Sequence, residues 1–248
     1  ENVCQGIREC GMSILFETHA VSIGKAKYKL SVELSSNNTI EADAVIIGKG
    51  VSANVQLVAE SGIEVNYGIL VDETMRTNVP NVFAAGDVAE GLNLITGQRQ
   101  VIATWPNACS QGRTAGINMA GGLDRNEGLS SNICGCLGSA VASVGITNPD
   151  NGDFEEVVCE EPAKLRYRKL VWNKRDELVG AVLMGAVADI GVITSLIRNR
   201  IRIPREKRAQ MAQEKEYLRL CVESASSVIS GEGGDLSRDV EEERIEGK

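Results

Sequence analysis

A short apolar run that ends in Gly-Asp constrains the fold of this chain more than any other part of its sequence. Residues 82–85, Val-Phe-Ala-Ala, follow turn formers at 78–81, and Gly86 and Asp87 come directly after them. An uncharged run of this length is typical of a strand buried on both faces of a parallel sheet. Gly86 has no Cβ and permits the close approach of a backbone or a ligand. The pattern therefore predicts that Asp87 lies at the carboxyl end of a strand, where open α/β sheets bind ligands, although an ordinary buried strand has the same pattern.

The stretch from Thr77 to Asp87 resembles the second flavin-binding motif of the FAD-dependent pyridine nucleotide-disulfide oxidoreductases, a threonine and an apolar strand that ends in Ala-x-Gly-Asp. The resemblance extends from about Ile40 to Met119. It implies that Asp87, which Gly86 precedes, holds the ribityl chain of FAD. A carboxylate suits that role because it accepts hydrogen bonds from hydroxyl groups.

A helix is predicted within residues 101–119, because Pro106 suits a first helical turn and Gly121-Gly122 suits a helix end. The amino end of a helix carries about half a positive charge. In the family that this chain resembles, the corresponding helix points this end at the flavin pyrimidine and favours the negative charge of reduced flavin. The resemblance implies that Trp105, Pro106 and Asn107 form the contacting turn. Trp105 is alternatively a core aromatic residue.

Residues 48–53 fit three interpretations. They match G-x-G-x-x-[G/A] after an expected strand, and Asp72 follows Gly50 by 22 residues, as an acidic residue that binds ribose would. The helical stretch expected at 54–60 is short, however. The family resemblance instead implies that Gly48 and Gly50 lie at the crossover from the NAD(P)-binding domain to the FAD-binding domain, near the nicotinamide, although Ala53 stands where the family usually has proline. A plain turn is the third interpretation.

The ends of the chain have simpler patterns. A helix followed by a strand at Ile14–Phe16 is expected within residues 1–18, and strict alternation predicts a strand from Tyr28 to Leu34. After a turn at 35–38, a returning strand is expected from Ile40 to Ile47. In the last part of the chain, strands are expected at 157–161, 165–172 and 178–184, and helices at 188–200 and from Pro204 to about Val228. Beyond Ser230 the composition predicts a flexible acidic tail.

Residues 170–171 and 178–182 resemble the small C-terminal domain of rubredoxin reductases and related NADH oxidoreductases. The predicted fold class is therefore α/β: the rear part of a Rossmann-type two-domain fold that binds FAD and NAD(P), followed by a small α+β C-terminal domain. The predicted units are 1–48, the tail of the NAD(P)-binding domain; 49–125, the second half of the FAD-binding domain; 126–203, the small domain; and 204–248, a charged helix and tail.

The composition excludes some classes of partner and favours one type of compartment. The 248 residues are 43% hydrophobic and 24% charged, as in ordinary globular proteins. The net charge of −8 argues against nucleic acid or an anionic membrane as the main partner, and no apolar run approaches the roughly 20 residues that span a bilayer. Seven cysteines without a regular framework favour a reducing compartment. We expect a cytoplasmic protein that has no secretory leader and binds neither nucleic acid nor membrane.

Reactive side chains are few. Cys134 and Cys136 form the only close cysteine pair. Their spacing allows a strained redox disulfide or two metal ligands, but nothing completes a four-ligand zinc site, so we expect structural, core-type thiols. The single histidine, His19, lies in an expected loop. We therefore expect no catalytic acid or base and no metal site in this chain.

The family also needs two glycine-rich loops that cradle the pyrophosphates of FAD and NAD(P)H, and the resemblance places both ahead of the present sequence. The chain thus resembles the C-terminal part of an FAD-dependent NAD(P)H oxidoreductase of the rubredoxin reductase, NADH oxidase and nitrite reductase branch. This implies hydride transfer from NAD(P)H to FAD, and electron transfer to an acceptor protein, a disulfide or a small molecule.

The alternative is a non-catalytic subunit or interaction module that retains half of the fold. In either case an N-terminal half or a partner subunit would supply the missing loops. The small C-terminal domain also implies subunit contacts, and hence a homo-oligomer.

Overall fold

The computed structural model describes residues 2–136, 138–149 and 152–213. The helices are α1 (Asn2–Glu9), α2 (Trp105–Met119), α3 (Ile190–Arg198) and α4 (Arg205–Ala212). The strands are β1 (Ala20–Ala26), β2 (Lys29–Leu34), β3 (Thr39–Ala42), β4 (Ile69–Leu70), β5 (Ala89–Leu92), β6 (Arg99–Val101), β7 (Ser131–Cys136), β8 (Ser139–Gly145), β9 (Phe154–Glu161), β10 (Arg166–Asn173) and β11 (Leu178–Met184). Residues 214–228 of the predicted final helix and the predicted acidic tail lie outside the described residues.

The first sheet is an antiparallel meander of β1, β2 and β3. Val32 of β2 pairs with Ile23 of β1 on one side and with Ile40 of β3 on the other, so these side chains share one face. That face is largely open: Leu34 is the one residue of the three strands that is buried. The predicted strand from Tyr28 is confirmed as β2, and β1 was not predicted.

Two predicted strands near the front of the chain are wrong in whole or in part. The segment Ile14–Phe16 forms no strand, and the strand predicted from Ile40 to Ile47 ends at Ala42. Ile46 and Ile47 are 95% and 71% exposed. A strand needs a neighbour for its backbone hydrogen bonds, and no described segment pairs with residues 44–47. Residues 44–47 therefore form no strand, although they are apolar.

The middle of the chain forms a small mixed sheet in which β4 and β5 are parallel and β5 and β6 are antiparallel. Helix α2 packs beside this sheet, and Ala115 of α2 joins its core. The other buried members of this core are Ile69, Val71, Met75, Ala84 and Ala89. The predicted helix is thus confirmed as α2, including its end before Gly121, which has a φ of +85°.

The buried parallel strand predicted at residues 82–85 does not form. The run makes an isolated bridge, from Phe83 to Arg76, and the Ala84 N–H donates to the Met75 carbonyl at 3.2 Å. The Val82 carbonyl also accepts the Thr77 N–H at 3.0 Å. Ala84 alone of the run is buried. The run lies against its own preceding loop instead of between two strands, so it receives no sheet hydrogen bonds beyond that bridge.

The largest sheet has the order β7-β8-β11-β10-β9, and every neighbouring pair is antiparallel. The three strands predicted in this region are confirmed as β9, β10 and β11, and residues 173–177 form the predicted hairpin. Strands β7 and β8 were not predicted, because their many small residues and glycines carry little strand signal.

Helices α3 and α4 cover one face of this sheet and close its core. Buried residues of that core include Leu170, Trp172, Ala181, Leu183 and Ile193. Leu94, from the loop after β5, and Met211 of α4 belong to the same core. The core therefore includes side chains from both sides of the predicted unit 126–203.

Candidate functional site

The turn that contains Gly86 and Asp87 lies between the extended run 82–85 and strand β5. Upstream, the Thr77 hydroxyl donates to the carbonyls of Val79 and Val82 at 3.2 and 3.1 Å, which fixes the predicted turn at 78–81. Gly86 has a φ of +86°, in the left-handed region that favours glycine. The Asp87 side chain is exposed. The turn thus presents a carboxylate to solvent on a fixed backbone.

Gln111 of α2 ties this turn to the helix. Its side chain is 2% exposed, and its Oε1 accepts the N–H of Gly86 at 2.9 Å. A Cβ placed on Gly86 would lie 3.8 Å from the Cβ of Ala108, so the turn packs beside the first two turns of α2. The sequence places Gln111 on a buried helix face, but the hydrogen bond to Gly86 is a tertiary contact that periodicity does not reveal.

The amino end of α2 is open. Thr104 precedes the helix in an extended conformation, and its side chain makes no capping hydrogen bond. Its Oγ1 is buried and has no hydrogen-bond partner among the described residues. Pro106 lies in the first turn, as predicted. The first N–H groups of a helix have no intrahelical partner and carry its positive dipole, so this end can receive an acceptor atom or a negative charge.

Trp105 and Asn107, the two predicted neighbours of Pro106, behave differently. Trp105 is 83% exposed, so the interpretation of Trp105 as a core aromatic residue is wrong. Asn107 is 3% exposed, and its Nδ2 donates to the carbonyl of Ile102 at 3.0 Å. The Asn107 side chain therefore stabilises the loop before the helix. Only the backbone N–H of Asn107 is left to contact a ligand at the helix end.

Gly48 and Gly50 lie in an irregular, exposed segment. Space around both is open, since a Cβ added to either residue would meet no atom within 4 Å. The hydrogen bonds of the described residues do not connect this segment to Gly86 or to α2. The predicted helix at 54–60 is only a 3-10 turn at Gln56–Val58, so no dinucleotide-binding strand-loop-helix unit begins here.

Asp72, the acidic residue of the dinucleotide-binding interpretation, forms its hydrogen bonds within its own loop. Its Oδ1 accepts the Thr74 N–H at 2.8 Å, the Thr74 hydroxyl at 2.7 Å and the Arg76 N–H at 3.0 Å. Partial burial raises the pKa of Asp72, but these hydrogen bonds and the Arg76 charge lower it more, so the pKa lies below its ordinary value. Asp72 therefore stabilises the loop.

Glu90 supports the site and was not predicted. It is 2% exposed in β5, three residues after Asp87. Its carboxylate accepts the Asn66 side-chain amide at 3.0 Å and the N–H groups of Tyr67 and Gly68 at 2.8 and 2.9 Å. A buried carboxylate that is fully hydrogen-bonded holds its surroundings in place. No local pattern distinguishes Glu90 from a surface glutamate.

The remaining candidate residues are not assembled into a site. Cys134 is exposed on β7, so the expectation that it is a core residue is wrong. Within the described ranges, no group of three or more His, Cys, Asp or Glu residues is placed to hold a metal ion. Nor is any helix of the described segments long and apolar enough to cross a membrane.

Comparison with known proteins assigns this arrangement to a family. Residues 4–112 match the model of the pyridine nucleotide-disulphide oxidoreductases, and residues 131–201 match that of the rubredoxin NAD+ reductase C-terminal domain. Residues 4–112 belong to the pyridine nucleotide-disulphide oxidoreductase family. The matches confirm the predicted resemblance to this family.

Two relatives are similar in sequence. The NADH-dependent phenylglyoxylate dehydrogenase subunit epsilon of Aromatoleum evansii is 32% identical over 79% of this chain and 47% of its own length. The assimilatory nitrate reductase electron transfer subunit of Bacillus subtilis (strain 168) is 27% identical over 78% of this chain and 24% of its own length. The chain therefore spans about half of the first relative and about a quarter of the second.

A solved structure shares the fold. The NAD-dependent persulfide reductase from A. fulgidus superposes with a TM-score of 0.74 over all of this chain and 52% of its own chain, at 24% identity. The predicted α/β fold class is thereby confirmed.

Proposed function

We propose that this chain is the rear part of an FAD-dependent NAD(P)H oxidoreductase, in which NAD(P)H reduces FAD and electrons pass on to an acceptor protein. The observation that carries the proposal is the hydrogen bond from Gly86 to Gln111, which sets the exposed Asp87 beside the open amino end of α2. When bound, FAD would supply the hydride and electron chemistry. The protein residues bind and orient it.

The residues of the site fit a flavin. The Asp87 carboxylate would accept hydrogen bonds from ribityl hydroxyls, and Gly86 leaves space beside the chain. The N–H groups of the first turn of α2 would face the pyrimidine, where the helix dipole favours negative charge. Trp105 is exposed at that end and would shield the ring. Gly48 and Gly50 would lie near the nicotinamide.

The partners and the compartment follow from the same assignment. The relative named as an electron transfer subunit supports an acceptor protein as partner. We propose a cytoplasmic location, because Cys4, Cys10, Cys109, Cys134 and Cys159 are free thiols. We also propose that subunits associate through the small C-terminal domain.

A second candidate function is favoured by the front of the chain. Ile46, Ile47, Val51 and Leu57 are 71–95% exposed, which is typical of a surface that another polypeptide covers. A non-catalytic module would use this surface to dock on a partner that carries the front half of a flavoprotein fold.

The visible absorption spectrum separates the two functions. We expect the purified chain, or the chain joined to its front half, to carry near-equimolar flavin that NADH bleaches. A folded, colourless protein that gains no flavin from added FAD in either form would support the module.

Substitution tests the site itself. Asp87→Ala in the flavin-binding form should lower flavin retention by about tenfold, because it removes charge-assisted hydrogen bonds worth roughly 1.5–3 kcal/mol. Asp43→Ala is the matched control, since the Asp43 side chain is 87% exposed and pairs only loosely with Lys29, at 3.8 Å. Flavin content that is unchanged in Asp87→Ala would contradict the assignment.

A further inference from the structure

A cavity of about 340 Å³ lies in the C-terminal region, bounded by the loop after β5, the β10–β11 hairpin and the end of α3. This volume is at the lower end of the range for small-ligand pockets, about 300–1,000 Å³. None of the residues proposed to bind flavin lines it. The cavity is therefore not part of the proposed FAD site, and a ligand bound in it would differ from FAD.

The inner wall of the cavity is apolar and closely packed. Its apolar lining is Leu94, Ile95, Ile146, Phe154, Leu178, Val179 and Ile197. The wall depends on Gly180 of β11, because a Cβ at that position would lie 1.7 Å from the carbonyl oxygen of Ile146. Only glycine allows the segment at Ile146 to lie so close to the sheet. A rigid apolar wall of this kind favours a hydrocarbon or aromatic group.

The rim carries three cations, and two of them are engaged. Lys174 forms a close ion pair with Asp153. Arg200 donates to the Leu94 carbonyl at 3.2 Å and lies 3.8 Å from Glu127. Arg175 forms no ion pair with any other described residue. Its guanidinium is thus the charge that a ligand can neutralise.

The backbone that presents Arg175 is fixed. The side-chain oxygen of Asn173 accepts the N–H groups of Arg175 and Glu177 at 2.9 and 3.1 Å. The Asn173 amide also donates to the Glu177 carboxylate at 2.8 Å, so hydrogen bonds within the hairpin hold its backbone. A guanidinium binds a carboxylate through two parallel hydrogen bonds.

We propose that this cavity binds a small monocarboxylate with an apolar body, its carboxylate on Arg175 and its hydrocarbon part against the inner wall. Lys174 is already paired with Asp153, so the guanidinium of Arg175 is left to match one carboxylate. The site is separate from the proposed flavin site.

Sodium phenylacetate is a suitable probe, with phenylacetamide as its neutral analogue, and the full 248-residue chain is titrated by calorimetry and ligand-detected NMR. We expect saturable binding of phenylacetate and at least tenfold weaker binding of the amide. Arg175→Gln should weaken phenylacetate binding about tenfold, since a charge-assisted hydrogen bond is lost, and Arg175→Lys should recover part of it.

Two further variants make the test independent of misfolding. Thr96→Trp places an indole at the exposed rim and should abolish binding, whereas Arg113→Gln removes an exposed arginine that does not line the cavity and should leave binding unchanged. Cooperative thermal unfolding of each variant verifies its fold. The proposal is overturned if wild-type protein shows no saturable binding, if the amide binds as well as the acid, or if Arg175→Gln binds as tightly as wild type.

Discussion

Residues 129–213 and residues 2–58 have similar apolar sequence patterns but bury their side chains to opposite extents. In the C-terminal region Leu170, Trp172 and Leu183 are fully buried between one face of a five-stranded sheet and two helices. In the front region Ile46 and Leu57 are 95% and 94% exposed, and the sheet β1–β3 buries only Leu34.

The difference follows from what covers each sheet: both consist of antiparallel strands, but helices α3 and α4 cover one face of β7–β11. Strands β7–β11 pair with antiparallel neighbours that are mostly adjacent in sequence, so this region builds its sheet and its cover from its own residues. A parallel strand needs a neighbour that arrives through a long crossover. The apolar segment 44–47 finds no such neighbour among the described residues. An apolar buried-strand pattern therefore predicts a strand only where a partner strand is present.

The largest expected effect comes from removing a core side chain in one region and its counterpart in the other. Leu183→Ala should lower the free energy of unfolding by roughly 2–5 kcal/mol, because it leaves a cavity in a closed core. Ile46→Ala should change it by less than about 0.5 kcal/mol, as exposed substitutions do. Urea unfolding, followed by tryptophan fluorescence, measures both. Equal losses in the two variants would show that the front region has a core of its own.

The second comparison concerns the attachment of α4. Arg208 is 2% exposed; it bonds Glu155 at 2.7 Å, pairs with Asp176 and lies 5.2 Å from the centre of the Trp172 ring. Arg208→Ala should cost about 2–3 kcal/mol, below the full value for a broken buried pair because both carboxylates are partly exposed.

Arg205→Ala is the matched control for Arg208→Ala. Arg205 bonds the same carboxylate of Glu155, but its side chain is 77% exposed. Its loss should cost less than about 1 kcal/mol. If both variants unfold at the same urea concentration, burial does not decide the strength of this contact.

The smallest expected effect concerns the middle region. Because the pKa of Asp72 is lower in the folded protein than in the unfolded chain, its contribution is present above the unfolded pKa, near 3.9, and is lost as the pH falls through the folded pKa. Asp72→Asn should therefore lower the free energy of unfolding by up to about 1 kcal/mol at pH 7.

That difference should shrink as the pH falls through the folded pKa of Asp72, which unfolding curves of the two proteins at a series of pH values will detect. Asp43→Asn, in an exposed carboxylate, provides the baseline. A difference between wild type and Asp72→Asn that grows as the pH falls would contradict the depressed pKa.

Local patterns predicted the elements whose partners are near in sequence. The β10–β11 hairpin and α2 were predicted, because strand alternation, a turn, Pro106 and Gly121 are local signals. The run 82–85 was mistaken for a buried strand, because its apolar composition does not say whether a neighbouring strand is present. Strand β1 was missed since Gly24 and Lys25 weaken its pattern.

The candidate site was predictable only in part. The sequence motif predicted Gly86, Asp87 and the turn 105–107 as flavin-binding residues, and their role stays a prediction. Contacts across the fold are absent from any local pattern, so the roles of Gln111 and Glu90 emerged only from the structure. The inward side chain of Asn107 was likewise not predictable, because asparagine suits either an exposed turn or a buried hydrogen bond.

The single amide of Gln111 joins two parts that a protein engineer would otherwise treat as separate. The Gln111 side chain links α2 to the N–H of Gly86. A shift of the helix that admits a bulkier cofactor analogue would therefore also move the turn that carries Asp87. Redesign of the proposed flavin site therefore has to begin by replacing Gln111.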